Sequence, residues 1–346
     1  MESSKRSRIA VIALIFIIII ILSTGGVYYY YVKQPNFYPQ ETVYVYVYPQ
    51  TPLSDLQKQL NTEGRMKNEA TFNYLANNKD LARKMKPGRY AIVPGMNNIT
   101  LIQLLLTGHQ TPVRLTFNNI RTLPQLAGRL SRQLMADSLS LLQTFNNSQF
   151  LEKFGFTHET LPAMFIPNTY EIYWTVSPEK FCERMKAEYD RFWDGKRRKE
   201  AEEIGLSPVD VCTLASIVEE ETNKKEEFSI VAGLYINRLK IGMKLQADPT
   251  VKYAVGNFML RRVLNTHLGT DSPYNTYLNY GLPPGPIRLP SVQVVDAVLN
   301  YVEHNYLYMC AKEDLSGRHN FTSSGAQHAV NRANYTAALN RLKIYR

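Results

Sequence analysis

The chain has 346 residues, of which 45% are hydrophobic and 20% are charged, and its formal net charge is +10 at pH 7. This apolar content excludes a largely disordered chain, and the length allows two domains of ordinary size besides a membrane segment. The cysteines are odd in number and lack metal-ligand spacing, so they indicate no metal site and leave one disulfide open. They are Cys182, Cys212 and Cys310.

The first predicted element is a membrane anchor. Residues 9–32 contain no charged side chain and begin with an almost purely aliphatic run, which is long enough to span a bilayer. Three basic residues precede it, namely Lys5, Arg6 and Arg8. The positive-inside rule therefore predicts a cytoplasmic tail at 1–8, a single-pass anchor in the inner membrane, and a periplasmic or extracytoplasmic remainder. A cleaved signal peptide is the alternative, but no small-residue cleavage site follows the apolar run.

The basic charge of the remaining chain bears on its partners. Its densest run is 196–199, and a solvated helix face is the favoured interpretation of that run. Nucleic acid is the usual partner of a basic chain, but an exported domain rarely meets any, so we expect none. Anionic lipid headgroups or the carboxylates of cell-wall peptides fit an exported basic domain better.

A small α+β module is predicted at 36–112. Residues 42–48 alternate valine with tyrosine, which predicts a strand with valines on one face and tyrosines on the other. Helices and a second strand follow, in the order helix 51–60, helix 70–81, strand 86–93 and helix 100–106. The tyrosine face could stack on sugars, although aromatic side chains on a strand more often pack.

Residues 113–346 are predicted to form a second, mixed α+β domain. We expect a strand at 111–117, an amphipathic helix at 123–142 and a long, charged, exposed helix at 180–204. Later elements are a helix at 228–239, a helix starting at Asp248, a helix at 291–301, a hairpin of 306–311 with 318–322, and a last helix at 326–342.

The helix that ends in three glutamates is the best candidate for chemistry. Ser207 can cap it, Pro208 suits its first position, and Asp210 adds an acid to its first turn. Glu219 shares a face with small residues beside an apolar stripe, where a carboxyl group loses solvation and its pKa rises toward that of a general acid. The alternative is a solvated acidic helix end, although acids at a helix C-terminus oppose the macrodipole.

Two later segments offer further polar groups. Asp248 is a candidate second carboxylate, but Asp before Pro is also a standard N-cap. Gln246 has no such structural role and could hydrogen-bond an N-acetyl group or a sugar hydroxyl. Residues 274–277 and 281–287 form a turn-rich, pre-organised loop, which is either a groove lining or a plain structural crossover.

Three blocks in order resemble the YceG-like family of endolytic murein transglycosylases. They are IVEEET, INRLKIGMKLQADPTVKYAVG and YNTYLNYGLPPGPI. Residues 165–170 also resemble the family's Phe-x-Pro-Asp-Thr-Tyr segment, but Asn168 replaces the usual Asp, which puts in doubt any role that needs a charge there. The resemblance implies a LysM-like subdomain at 36–112 and a YceG-like catalytic domain at 113–346.

The resemblance also implies a reaction. Glu219, the first acid of the block, would be the single general acid/base in cleavage of peptidoglycan strands to 1,6-anhydro ends, without metal or cofactor. The family's second acidic position falls on Glu221, and Glu220 has no role. Strand-binding residues would be Gln246, Asp248, Tyr274, Asn275 and Tyr277, with His319 lining the site. Glycan strands would be the substrate, and a peptidoglycan synthase a neighbour at the membrane.

Two other functions stay open at this point. A hydrolase normally uses two carboxylates, so a muramidase with Asp248 as the second carboxylate is one rival. The other is a peptidoglycan-binding scaffold for wall synthases that has no catalytic activity.

Overall fold

The computed structural model of this chain describes residues 2–260 and 262–342. Within these residues the helices are α1 Glu2–Tyr28, α2 Leu53–Thr62, α3 Glu69–Asn78, α4 Leu81–Lys84, α5 Asn98–Thr107, α6 Leu123–Ser131, α7 Ser138–Phe145, α8 Ser148–Glu152, α9 Pro178–Phe192, α10 Gly195–Glu203, α11 Pro208–Glu221, α12 Phe228–Lys240, α13 Asp248–Val255, α14 Asn265–Leu268, α15 Val292–Leu299 and α16 Gly325–Arg341. A π-helical segment spans Tyr29–Lys33, and 3₁₀ turns span Leu161–Met164 and Lys225–Glu227.

The strands pair only in twos within the described residues. They are β1 Pro35–Phe37, β2 Val43–Val47, β3 Gly88–Ile92, β4 Met96–Asn97, β5 Val113–Phe117, β6 Asn168–Ile172, β7 Tyr308–Ala311 and β8 His319–Thr322. The pairs are β1 with β4, β2 with β3, β5 with β6, and β7 with β8. The predicted α+β class with an N-terminal apolar helix is confirmed.

Helix α1 is apolar and solvent-facing. Together with the π-helical segment it provides one span, Val11–Lys33, that is long and apolar enough to cross a membrane, with a mean hydropathy of 2.7 and none of it buried. An isolated apolar helix of this length is stable only where its surface is removed from water. The helix is therefore consistent with a membrane anchor, and its orientation stays a prediction.

The first compact unit comprises Met1–Arg114, Gln133–Met135 and Glu171–Val176. Strands β2 and β3 pair antiparallel, from Val43 opposite Ile92 to Val47 opposite Gly88. The valine face of β2 enters a core that contains these fully buried side chains: Leu56, Leu60, Phe72, Leu101 and Ile102. The alternation of β2 thus places its apolar face as the sequence predicts.

The tyrosine face of β2 contacts other side chains of this unit but stays partly open, with Tyr44 and Tyr48 37% and 54% exposed. The guanidinium of Arg89 lies 3.4 Å from the ring centre of Tyr44. Rings of Tyr46 and Tyr48 pack edge-on against Trp174, at 5.0 and 4.8 Å between centroids. The tyrosines thus pack through part of their rings, and stacking of sugars on the exposed part stays a prediction. A LysM-like role for this unit stays a prediction.

The second compact unit comprises Leu115–Arg132, Ala136–Tyr170 and Ser177–Arg346, and α11 is its central helix. Eight consecutive residues of α11, Val211–Val218, are at most 2% exposed, and α12, α13 and α15 pack around it. Ser207 accepts a hydrogen bond from the Asp210 amide, and Asp210 returns one to the Ser207 amide, which completes a capping box. The predicted start of this helix is confirmed.

Two helices that the periodicity predicts as continuous are each divided. The segment 123–142 forms α6 and α7, because the Asp137 side chain accepts from the Ser140 amide at 2.7 Å and starts a new helix. The segment 180–204 forms α9 and α10, where buried Trp193 interrupts the helix and Asp194 caps the next one at 3.0 Å. The expectation of one exposed helix is wrong there too, since α9 buries an apolar face.

The Pro- and Gly-rich loop at 281–287 is a packed crossover. The amide of Ile287 donates to the Ser216 hydroxyl of α11 at 3.0 Å. A Cβ atom added to Gly285 would lie 2.0 Å from the backbone oxygen of Glu159. Only glycine allows this close approach of two backbones, so the loop braces the face of α11.

We expect Gly285→Ala to destabilise the protein by roughly 2–3 kcal/mol, because the neighbouring backbone must move to admit a methyl group. Urea unfolding of the full chain measures the change. The matched control is Gly128→Ala in α6, where no atom lies within 4 Å of the added Cβ. That substitution should stabilise by up to about 1 kcal/mol through helix propensity. Equal stabilities of the two variants would contradict the packing described here.

Candidate active site

The three glutamates at the C-terminal end of α11 lie in three different environments. The Glu219 carboxylate accepts a hydrogen bond from the Ser291 amide at 2.8 Å, at the N-cap of α15. It also lies 3.6 Å from Nε of Arg288. A helix N-terminus and a guanidinium both stabilise the ionised form. Glu219, the acid expected from the sequence, is thus held by contacts inside the protein.

Glu220 is held by two arginines. Arg121 donates through Nε and Nη2 to its two oxygens at 3.1 and 2.9 Å, and Arg288 donates to one of them at 2.7 Å. The side chains of Glu220 and Arg288 are 16% and 11% exposed, so the pair is largely removed from water. A bidentate pair of this kind fixes geometry. Glu220, which has no role in the sequence-based prediction, therefore anchors the end of α11 to the segments before α6 and after the 281–287 loop.

Glu221 is the one of the three glutamates that forms no salt bridge with any residue in the described part of the chain. Its Oε2 atom is inaccessible to solvent and has no hydrogen-bond partner among the described residues. The pKa of this carboxyl is raised to about 7, first by burial and then by the nearby Asp248 charge, against the lowering effects of a Tyr235 hydrogen bond and of Lys252 and Arg238. A carboxyl group with such a pKa holds a proton in part of the molecules at neutral pH, as a general acid requires.

Glu221 lines a cavity of about 790 Å³. Its wall is formed by side chains from α12, α13, β7, α16 and the loops between them. Four residues of the sequence-predicted site line it together: Glu221, Gln246, Asp248 and Tyr277. Among the described residues, neither Glu219 nor Glu220 belongs to this lining. A concave site with convergent polar groups and a perturbed carboxyl has the character of an active site.

Gln246 and Asp248 are presented to the cavity by a constrained backbone. Gln246 has a φ of +47°, which strains a residue other than glycine. Its backbone amide donates to the backbone oxygen of Thr276 at 3.1 Å. Asp248 accepts a hydrogen bond from the Tyr277 hydroxyl at 2.7 Å. The expectation that Asp248 caps its helix is wrong: Ala247 is the N-cap of α13, and no side chain caps it.

Three residues of the predicted set lie elsewhere. Asn275 is fully buried, and its amide group donates to the Leu268 and Thr270 oxygens, which holds the loop rather than a ligand. Tyr274 packs against Tyr253 at 4.7 Å between ring centroids. His319 lies against Glu227, with 2.8 Å between Nδ1 and Oε2. The cavity lining within the described chain includes none of the three.

Several cavity residues on α12 and α16 are absent from the sequence-predicted site. Tyr235 lies in the predicted helix 228–239 and hydrogen-bonds Glu221 while it is 1% exposed. Arg238, 8% exposed, donates to the Leu307 and Leu245 oxygens at 2.7 and 2.6 Å and so braces the cavity wall. Further lining residues are Arg262, Tyr308, His328, Arg332 and Tyr335. A buried arginine within an otherwise apolar helix face is the one sequence signal that could have indicated this wall.

Comparison with known proteins identifies the class to which this fold and site belong. A sequence profile described as the YceG-like family matches residues 45–334. The chain therefore belongs to the YceG-like family, and the resemblance seen in its three sequence blocks is confirmed.

Named relatives and one solved structure agree with this membership. The chain is 41% identical over 130 residues to the endolytic murein transglycosylase of Bacillus subtilis, covering 38% of this chain and 35% of that protein. It is 29% identical over 287 residues to the endolytic murein transglycosylase of Streptococcus pneumoniae strain D39, covering 73% of this chain and 51% of that protein. The chain thus spans about half or less of these relatives. A YceG-like protein of Listeria monocytogenes, solved at 2.6 Å, superposes with a TM-score of 0.57 at 26% identity, over 84% of this chain and 99% of that one.

The different environments of Glu219 and Glu221 predict opposite effects on stability. A carboxyl group whose pKa is higher in the folded chain than in the unfolded chain lowers the stability of the folded chain as the pH rises. This loss is complete once the pH has risen through the folded value, here about 7. At pH 8 the ionised, buried Glu221 costs roughly 3 kcal/mol. We therefore expect Glu221→Gln to raise Tm at pH 8 and to leave it nearly unchanged at pH 5.

Glu219→Gln is the matched control in these thermal melts. It removes the charge that faces Arg288 and the Ser291 amide, so it should lower stability at pH 8 by about 1 kcal/mol. The assignment of environments would be overturned by a Glu221→Gln protein that melts below the wild type at pH 8.

Proposed function

We propose that this chain is a membrane-anchored endolytic lytic transglycosylase, which cleaves the bond between N-acetylmuramic acid and N-acetylglucosamine in peptidoglycan strands. Membership of the YceG-like family and the names of its relatives support peptidoglycan cleavage. The observation that carries the proposal is the solvent-inaccessible Glu221 carboxyl, with its pKa near 7, in the wall of a large polar cavity. On this geometry we assign the acid/base role to Glu221, in place of Glu219.

A single carboxyl group suffices when the nucleophile belongs to the substrate. The protonated Glu221 gives its proton to the glycosidic oxygen, the bond from that oxygen to C1 of the muramoyl residue breaks, and the N-acetylglucosamine 4-hydroxyl leaves. The Glu221 carboxylate then takes the proton of the muramoyl 6-hydroxyl, whose oxygen bonds to C1. The product is a 1,6-anhydro end, Glu221 is again protonated, and no water is consumed. The burial that raises the pKa of Glu221 supports its first, acidic step.

The other cavity residues bind and orient the strand in this proposal. Gln246 supplies an amide, and the Asp248–Tyr277 pair supplies a carboxylate and a phenol for sugar hydroxyls or N-acetyl groups. The same cavity has a cationic wall, formed by Arg238, Arg262 and Arg332. Such a wall suits the carboxylates of lactyl groups and peptide stems. Positioning of this kind lowers the activation barrier of a reaction by several kcal/mol.

The location of the enzyme follows from its proposed anchor. With 9–32 in the inner membrane and 1–8 in the cytoplasm, the LysM-like subdomain at 36–112 and the catalytic domain at 113–346 lie outside, close to the bilayer. New glycan strands emerge there. We infer that the enzyme cuts nascent strands internally and so sets glycan length, beside a peptidoglycan synthase.

Digestion of uncrosslinked peptidoglycan tests the reaction and its acid together. We expect the full chain in detergent to release fragments that end in 1,6-anhydro-muramic acid, detected by mass spectrometry. Glu221→Gln should lower the rate about 10²–10⁴-fold, as loss of a general acid does. Glu219→Gln should stay within about tenfold of the wild type, because its amide oxygen can still accept from the Ser291 amide.

Each rival has its own product pattern in this experiment. Loss of cleavage in Glu219→Gln with a normal Glu221→Gln protein would return the acid role to Glu219. Fragments with reducing ends would instead indicate a muramidase with Asp248 as second carboxylate, a rival that the shared cavity of Asp248 and Glu221 favours. No cleavage by the wild type would leave the scaffold function.

The pH dependence of the reaction provides a separate test. Because Glu221 must be protonated to act, kcat/KM should be highest below its pKa of about 7 and fall about tenfold per pH unit above it. Initial rates between pH 5 and 9 measure this limb. A limb near the ordinary pKa of a glutamate, about 4.3, would contradict Glu221 as the acid.

A further inference from the structure

A second buried carboxylate lies behind the end of α11. Glu227 closes the 3₁₀ turn Lys225–Glu227 and is 5% exposed. One of its oxygens, Oε2, accepts from the Thr222 hydroxyl at 3.0 Å and lies 2.8 Å from Nδ1 of His319; the other accepts from the His319 amide at 2.8 Å. Among the described residues, Glu227 is not part of the cavity lining, so the reaction proposed above leaves it without a role.

Thr222 joins this carboxylate to the end of the helix. It directly follows Glu221, is the C-cap of α11, and is 5% exposed. Its hydroxyl donates to Glu227 and accepts from the Lys224 amide at 3.1 Å. Helix ends lose their intrahelical partners and fray unless side chains hold them. What holds Thr222 therefore decides whether the last residue of α11 stays in place.

His319 attaches the same carboxylate to the β7–β8 hairpin. Its amide and its ring both contact Glu227, and β8 pairs with β7 along its length. Since β7 residues line the cavity, one buried carboxylate connects the end of α11 to an element of the opposite wall. A buried ionised group is retained only where its partners satisfy it, and here three contacts do so.

We propose that Thr222, Glu227 and His319 form a positioning network that fixes the Glu221 carboxyl at the cavity wall. The inference rests on the proposed function, since it concerns the acid of that reaction. The three residues act through the backbone at the end of α11 and do not touch the substrate. The charged and titratable groups that face Glu221 itself come from other elements: Tyr235 and Arg238 of α12, and Asp248 and Lys252 of α13.

The chain offers a matched pair of variants at Thr222. Its backbone, with φ −140° and ψ 146°, lies in the β region that a valine adopts without strain. Thr222→Val therefore removes the hydroxyl and keeps the shape. Thr222→Ser keeps the hydroxyl and removes only a methyl group. A difference between these variants reports on the hydrogen bond to Glu227 rather than on packing.

We expect Thr222→Val to lower kcat about tenfold to a hundredfold, with KM within about twofold, because the acid is misplaced while the binding residues are not. A frayed helix end also admits water to Glu221, so the high-pH limb of the rate profile should move to lower pH. Thr222→Ser should restore both the rate and the limb. Glycan digestion by the full chain in detergent measures them.

Glu226→Gln is the control for the same two segments. Glu226 pairs with Arg318 at 3.0 Å, and both side chains are more than half exposed. An exposed ion pair contributes little, so this variant should keep kcat and its pH profile within about twofold of the wild type. The Glu226–Arg318 pair joins the 3₁₀ turn to the same hairpin as Glu227 does, but at the protein surface.

A second readout does not depend on turnover. The pKa of Glu221 can be followed by ¹³C NMR of the full chain with labelled glutamate, its signal identified by its absence in Glu221→Gln. We expect a lower pKa in Thr222→Val than in the wild type and Thr222→Ser. Unchanged kcat and an unchanged Glu221 titration in Thr222→Val would overturn the network, as would a Thr222→Ser protein that is equally impaired. An inactive wild type would overturn the proposed function, while the titration would still decide whether the network holds the carboxyl.

Discussion

The structure around the site depends on the burial of one carboxyl group at the end of a helix that is enclosed on all sides. Helix α11 is surrounded by α12, α13 and α15, so whatever follows its eight buried residues must lie at the edge of the core. Glu221 is the last residue of that helix, and its Oε2 atom is inaccessible to solvent and has no hydrogen-bond partner among the described residues. An unpartnered oxygen of this kind is destabilising. Such a cost persists where the same feature serves a function.

The neighbours of Glu221 explain how a run of three acids is tolerated at a helix C-terminus. Three carboxylates there oppose the helix dipole and one another. Arg121 and Arg288 pair with Glu220, and the Ser291 amide and Arg288 contact Glu219. Burial raises the pKa of the third acid, Glu221. The two compensated glutamates thereby hold the helix end in position, and the uncompensated one is free for chemistry.

The order and type of most elements could be predicted from the sequence, because they rest on local patterns. The alternation of valine and tyrosine predicted β2. The Ser207-Pro208 start, followed by an apolar run, predicted α11. Apolar periodicity did not predict the breaks between α6 and α7 and between α9 and α10. These breaks depend on the capping side chains Asp137 and Asp194, which an apolar pattern does not include. The three family blocks of the sequence also indicated the region that lines the cavity, although not which of its residues do so.

The sequence by itself determined the family and indicated the IVEEET helix as the candidate site, because the family blocks and the acidic helix end are both contiguous residues. It could not decide which glutamate faces the cavity. Successive residues of a helix point about 100° apart, so one of the three must face each environment, and the choice depends on partners distant in sequence. The first two acids contact Arg121, Arg288 and Ser291. Tyr235 and Asp248 meet the third, and only the tertiary structure brings them there, because each reaches α11 from a separate element.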